Sequence, residues 1–339
     1  MVQRGFFDTE DRYNKLNEQD PLPKLNESID WSVFRSVLNK TKKVDKLKTG
    51  RPSYDVILMF KILVLQHLYN LSDEQTEFQI RDRMTFCRFL DLTASHSIPD
   101  AKTIWHFREK LVSLGLMKKL FDRFGEQLAL CGCEARKGQI VDASFVDVPR
   151  QRNNKEDNAQ IKSGVRPESF DENKHVGAQK DTDARWAKKN EETHFGYKDH
   201  IVIDNDKKLI RDYDVTSAQV HDSNVFEVLL TENSSAEVFA DSAYRSKAIE
   251  ENLVALGYRS KVHEKGKRGK PLTERQKQSN TKKSRVRARV EHVFGSMTNE
   301  QGGLYFKVIG FNRNAFKIGM MNLVYNVRRF SYLRGISTC

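Results

Sequence analysis

Apolar positions recur along this chain at two different spacings, and one gives way to the other near residue 138. Before that point the spacing is helical. Trp31, Val33, Phe34 and Val37 predict one short helix over 25–38, and Gly50-Arg-Pro52 then punctuates the chain. The run 54–70 is apolar on nearly every side, which predicts a helix enclosed in a core. Ser72 with Gln75 three residues later is a capping box that opens a further helix reaching about residue 92. Asp100 is placed to cap a helix in which Ile104, Phe107, Leu111 and Leu114 repeat, and 116–132 adds an amphipathic one. The helices on either side of the polar turn at 95–100 fit two arrangements. One is a helix-turn-helix presenting Lys102, Trp105, His106 and Arg108; the other is a plain helical hairpin.

From Gly138 the period becomes two. Ile140, Asp142 and Ser144 fall on one face of a predicted strand, and Val141, Ala143 and Phe145 on the other. Residues 149–192 are almost devoid of apolar positions, which predicts a mobile polar insertion outside the core. Order resumes at 194–204. With a turn at Asn205-Asp-Lys207 and a second run at 208–215 it predicts a β-hairpin. A helix at 222–231 and a strand at 237–244 follow, and Gly302-Gly303 breaks the chain before a last helix at 311–333. Strand, hairpin, helix, strand and later helix make an α/β fold with a ribonuclease-H-like mixed sheet, preceded by an all-helical region. The expected division is 1–135 helical and 136–335 for the ribonuclease-H-like part, with the insertion at about 150–192.

Composition narrows the partner. The chain has 339 residues, enough for two or three domains, and a formal net charge of +12. Thirteen Lys or Arg against two Glu fall within 259–289, so nearly all the excess charge is local. A phosphate backbone is the partner such a block fits. A membrane fits less well, because the most apolar stretch, 56–71, is shorter than the roughly 20 residues of a spanning helix and contains Lys61, Gln66 and His67. The first ten residues include acids and lack an apolar signal-like run, so a cytoplasmic protein is expected. Four cysteines suit a reducing compartment, and Cys131-Gly-Cys133 is one residue short of the usual zinc-binding pair.

Three acids stand where acids are costly. Asp142 and Asp241 lie inside apolar strand-like runs, and Glu291 lies on a helix-like run thick with arginine. A carboxylate in such surroundings needs a compensating charge, and a divalent cation is a common functional one. Taken singly, each acid has another reading: a turn hydrogen bond for either aspartate, a pairing with Arg287 one turn earlier for Glu291. Tyr244 reads on its own as a ring packed at a strand end.

The motifs Ile140-Val-Asp-Ala-Ser144, His194-Phe-Gly-Tyr-Lys-Asp-His200, Phe239-Ala-Asp-Ser-Ala-Tyr244 and Arg287-Ala-Arg-Val-Glu-His292, in that order, resemble bacterial insertion-sequence DDE transposases of the insertion-sequence-five family. Gly50-Arg-Pro52, Asn70-Leu-Ser-Asp73, Ile98-Pro-Asp-Ala-Lys-Thr-Ile104 and Phe107-Arg108 resemble that family's N-terminal helical region. The resemblance implies a ribonuclease-H-like core in which Asp142, Asp241 and Glu291 are the catalytic residues and hold two Mg2+ ions, with Mn2+ as a substitute. It implies cleavage of double-stranded DNA at the ends of the element, then attack of the freed 3′-hydroxyl on target DNA, by a homodimer or higher homo-oligomer. Lys282, Lys283, Arg285, Arg287, Arg289, His292 and Tyr244 would contact DNA, with Lys102 and Arg108 from the helical region. Ser284 and Thr298 depart from the related pattern, which has Tyr and Lys there. A nuclease without strand transfer, or a DNA-binding repressor, shares many of these features and stays open at this stage.

Overall fold

The computed structural model describes residues 20–42, 52–93, 96–189, 191–266, 269 and 271–337. Gly50 and Arg51 of the expected break, and Lys267, Arg268 and Lys270 of the basic block, lie outside them. The chain forms two compact units, one of Met1–Gln127 with Val327–Cys339, the other Leu128–Asn326.

The first unit holds helices α1 (Pro21–Ser28), α2 (Val56–Leu68), α3 (Asp73–Asp82), α4 (Met84–Phe89), α5 (Ala101–Ser113) and most of α6 (Met117–Leu130), and α3 and α5 pack on α2. Its composition matches its surroundings: Phe60, Ile62, Leu63, Val64 and Leu65 are fully buried. Lys61 is buried too, and its ammonium reaches Asp91 at 2.7 Å while lying over the Trp31 and Phe89 rings. The capping box at Ser72 and Gln75 is formed, and Asp100 caps α5 by accepting from the Thr103 N–H at 2.7 Å. The helix expected to run from Ser72 to about residue 92 instead breaks at Arg83, which is extended. There its guanidinium lies over the Tyr69 and Phe86 rings, a contact that helical periodicity cannot foresee. Similarly, 25–38 is not one helix but α1, a 3-10 turn at Trp31–Phe34 and a single α-turn at Arg35–Leu38.

The second unit is built on a six-stranded sheet of β1 (Gln139–Asp147), β2 (Arg185–Lys189), β3 (Glu192–Asp204), β4 (Ile210–Ser217), β5 (Glu237–Phe239) and β6 (Arg259–Ser260). β3 pairs antiparallel with β1, β2 and β4, whereas β5 is parallel to β1 and β6 parallel to β5. This is the expected ribonuclease-H-like mixed sheet. One face is packed with Val141, Val202, Phe226, Val238, Tyr244 and Leu253, the last from helix α7 (Lys247–Ala255). Helix α8 (Glu274–Glu300) lies against β1 and β5. The last helix, α9 (Phe311–Ser337), meets the sheet where Asn322 donates to Asp199 and Asn326 pairs with the backbone of Ile210.

Two expectations change here. Residues 222–231 form a 3-10 turn at Asp222–Asn224 and further turns rather than a helix. Both ends are tied down, Asp222 by Lys198 and Thr231 by the Gln139 amide, and a regular helix does not span them. The polar insertion also carries structure: short helices at Lys155–Lys162, Ser169–Glu172 and Lys174–Gly177, then β2. Its organiser is a buried acid. Asp181 accepts the Tyr197 hydroxyl, the N–H groups of Asp183 and Ala184, and the Gly310 N–H. Burial and the adjacent Asp181 charge push the Tyr197 hydroxyl's pKa far up, so it stays a donor.

Candidate active site

Parallel pairing sets the first two acids level with one another. Ile140 on β1 is in register with Phe239 on β5, so Asp142 and Asp241, each two residues further on, leave the same edge of the sheet side by side. Asp142 is still within β1, its side chain 16% exposed, and accepts from the Ala143 N–H at 2.9 Å. Asp241 is past the end of β5, 35% exposed, and caps the 3-10 turn Ser242–Tyr244. Burial raises the Asp142 pKa, and Arg287 chiefly opposes this. An acid so placed is short of positive charge.

That charge comes from α8. The helix opens on a capping box of Thr273 and Gln276, and turns Val290, Val293 and Met297 inward. Arg287 shares this inward side: its Nε lies 3.4 Å from Asp142 Oδ2 and its Nη1 3.9 Å from Asp241 Oδ1. Glu291, one turn later, is exposed. Among the described residues no three His, Cys, Asp or Glu side chains are gathered as a metal site. The structure therefore brings together Asp142, Asp241 and Arg287, and leaves the third expected acid outside that group.

His263 completes the surroundings. Its Nδ1 is 3.8 Å from Asp241 Oδ1, and its Nε2 is 3.3 Å from the Ser284 hydroxyl. Burial, then the Arg287 charge, lowers its pKa, which favours the neutral ring. Sequence reading missed His263 because β6, the strand before it, is two residues long and shows no alternation. Ser284 thus has a partner of its own in the position where the related pattern has tyrosine.

Two carboxylates at adjacent strand ends, one of them desolvated and compensated chiefly by the Arg287 guanidinium, make a hard oxygen donor set. It fits a divalent cation such as Mg2+, which takes one or two protein carboxylates with water and phosphate oxygens.

Two family models match the chain. The family described as "Transposase DDE domain" matches residues 134–327, and "Transposase domain (DUF772)" matches residues 10–110. The chain is a DDE transposase. Among solved structures it is similar to the cryo-EM structure of a piggyBac transposase synaptic complex with hairpin DNA. The identity there is 13% and the TM-score 0.49, over 94% of this chain and 76% of that one. As members of an insertion-sequence-type family, such chains act in DNA transposition. No helix among the transposase's described residues is long and apolar enough to cross a membrane.

The cations expected to meet DNA are placed unequally in the transposase. Lys282, Arg285 and His292 are exposed on α8, and Lys102 is exposed on α5. Lys283 instead donates to the Val262 carbonyl at 2.8 Å and faces Glu264, and burial lowers its pKa. Arg289 donates to the backbone and side chain of Asn205, bracing the β3–β4 turn. Arg108 forms two short bonds to Asp73, at 2.6 and 2.7 Å, which clamp α5 to α3. Tyr244 is 1% exposed, its ring tilted against Phe226, and its hydroxyl has no hydrogen-bond partner. It is a core residue in this conformation, since no DNA surface reaches a ring enclosed in that way.

Proposed function

We propose that this protein is an insertion-sequence transposase of the insertion-sequence-five family that cleaves the ends of its element and joins the 3′-hydroxyls to target DNA. The observation that carries the reading is the pairing of Asp142 with Asp241 at adjacent strand ends, within a chain of the DDE family. Asp142 and Asp241 would hold divalent cations, Mg2+ or Mn2+. Glu291, on the same helix as Arg287, is the acid available to complete the set. When bound, paired ions activate the attacking oxygen and stabilise the leaving one in displacement at phosphorus.

The protein's own residues supply the rest. The apolar packing behind Asp142 excludes water from one side of the carboxylates and keeps their geometry fixed. Ser242's N–H, donating to Asp241 at 2.5 Å, fixes that carboxylate's rotamer. Lys282 and Arg285 on α8 offer charge to the DNA backbone, and Lys102 on the helical unit offers it to the terminal repeat. Two ends have to be held together, which assigns a homodimer or larger homo-oligomer on DNA.

The test uses duplex oligonucleotides of the element's own termini with Mg2+. Wild-type protein is expected to nick at the transposon end and to join a pre-cleaved end to a plasmid. Asp142→Asn and Asp241→Asn each are expected to lower cleavage at least about a hundredfold, while end binding by gel shift persists. Cleavage surviving in either variant would remove that aspartate from the catalytic set. Hydrolysis without joined product would make the enzyme a nuclease.

A further inference from the structure

We propose that Arg287 couples DNA-end binding to metal binding: in the DNA-free protein its guanidinium occupies the carboxylate oxygens a cation needs, and a DNA phosphate draws it away. The proposal rests on Asp142 and Asp241 being the metal-binding pair. Its first support is position, since one side chain spans both acids, Nε toward Asp142 at 3.4 Å and Nη1 toward Asp241 at 3.9 Å.

The second support is how loosely it is held. Arg108, which braces the helical unit, is bound short and twice, to Asp73 at 2.6 and 2.7 Å. Arg287 has the charges but not the bonds, and its buried Nε has no hydrogen-bond partner. Attraction without closed hydrogen bonds compensates the acids yet leaves the guanidinium free to exchange partners, and a phosphate offers the bidentate geometry the aspartates do not.

The third support is access. The side chain is 21% exposed, and Lys282 and Arg285 stand exposed on the preceding turns of the same helix. His263 and Lys189 are the other basic groups facing the acids, His263 beside Asp241 and Lys189 close enough to stabilise a charged Asp142. Lys189 lies 5.9 Å from the Phe145 ring centroid and does not bridge the pair. Arg287 alone among them spans both carboxylates, so it is the one whose removal exposes them together.

Mn2+ binding to full-length protein, followed by electron paramagnetic resonance, tests this without reference to activity. Arg287→Gln is expected to bind Mn2+ at least about tenfold more tightly than wild type when DNA is absent, because a competing positive charge is gone. Arg287→Lys, which keeps the charge, should stay within a fewfold of wild type. A duplex of the terminal sequence should tighten Mn2+ binding to wild type, and by a larger factor than in Arg287→Gln. Equal or weaker binding by Arg287→Gln overturns the proposal. So does a wild-type protein whose Mn2+ affinity ignores the duplex, a measurement that needs no variant to fold. The double variant Asp142→Asn, Asp241→Asn separates the two levels: if it binds Mn2+ as wild type does, the metal-site reading itself fails and the coupling with it.

Discussion

Asp199 shows how much of this molecule is decided one side chain at a time. It lies opposite Ser144 on the sheet face that also carries Asp142, is fully enclosed, and accepts from Asn322 Nδ2 at 3.0 Å. Burial pushes its pKa up to about 7; the Asn322 bond opposes this and Asp214 adds to it. The unfolded value is near ~4, so between those limits the native state binds the extra proton. Stability is then full below about pH 4 and falls as pH rises through 7, by on the order of 3–5 kcal/mol from this group. Asp199→Asn should remove that slope. Its melting temperature should exceed the wild type's clearly at pH 8 and little or not at all at pH 4.5; parallel melting curves at both pH values would contradict the assignment. Asp199 was visible in the sequence only as one letter of His194-Phe-Gly-Tyr-Lys-Asp-His200. Its burial depends on Asn322, more than a hundred positions away, and no local pattern carries that.

At the scale of elements, β3 illustrates a backbone demand. Gly196 has φ +152°, and a Cβ there would lie 2.2 Å from the Val146 carbonyl oxygen, so β1 and β3 meet at that point only because the residue has no side chain. Gly196→Ala should cost about 1–3 kcal/mol, read as a lower denaturation midpoint, and should loosen the β1 end that bears Asp147. An unchanged midpoint would mean the strands separate locally without penalty. The hairpin of β3 and β4, the capping box at Ser72 and the alternation in β1 were all legible, because each arises within a few residues. The breaks at Arg83 and in 222–231 were not. In both, partners distant in sequence override a helical pattern: the Tyr69 ring for Arg83, Lys198 and Gln139 for the segment after His221.

Across the whole molecule the basic block is less uniform than its composition. Lys261 pairs with Glu237, Lys277 with Glu274, Lys283 faces Glu264, Arg287 the two aspartates, and Arg289 braces Asn205. What is left to meet phosphate on α8 is chiefly Arg275, Lys282 and Arg285. DNA affinity should therefore fall with salt, and Lys282→Ala with Arg285→Ala should lower the slope of log K against log salt by roughly 1 to 2. Lys283→Ala should alter stability more than that slope. A double variant with the wild-type slope would place the phosphate contacts elsewhere.

The two aspartates as candidates, the mixed sheet that holds them and the local excess of positive charge were legible in the sequence alone. Periodicity, caps and charge are properties of neighbours along the chain, and they act before any tertiary contact forms. Which charges meet was decided only by the fold. Strand register sets Asp142 beside Asp241, and helix packing delivers Arg287 rather than Glu291 to them. It also encloses Tyr244 and makes a hub of Asp181 in a segment whose composition promised none. Coulombic and hydrogen-bonding partners are chosen by distance in space, and in this chain the residues that matter most to one another lie far apart in sequence.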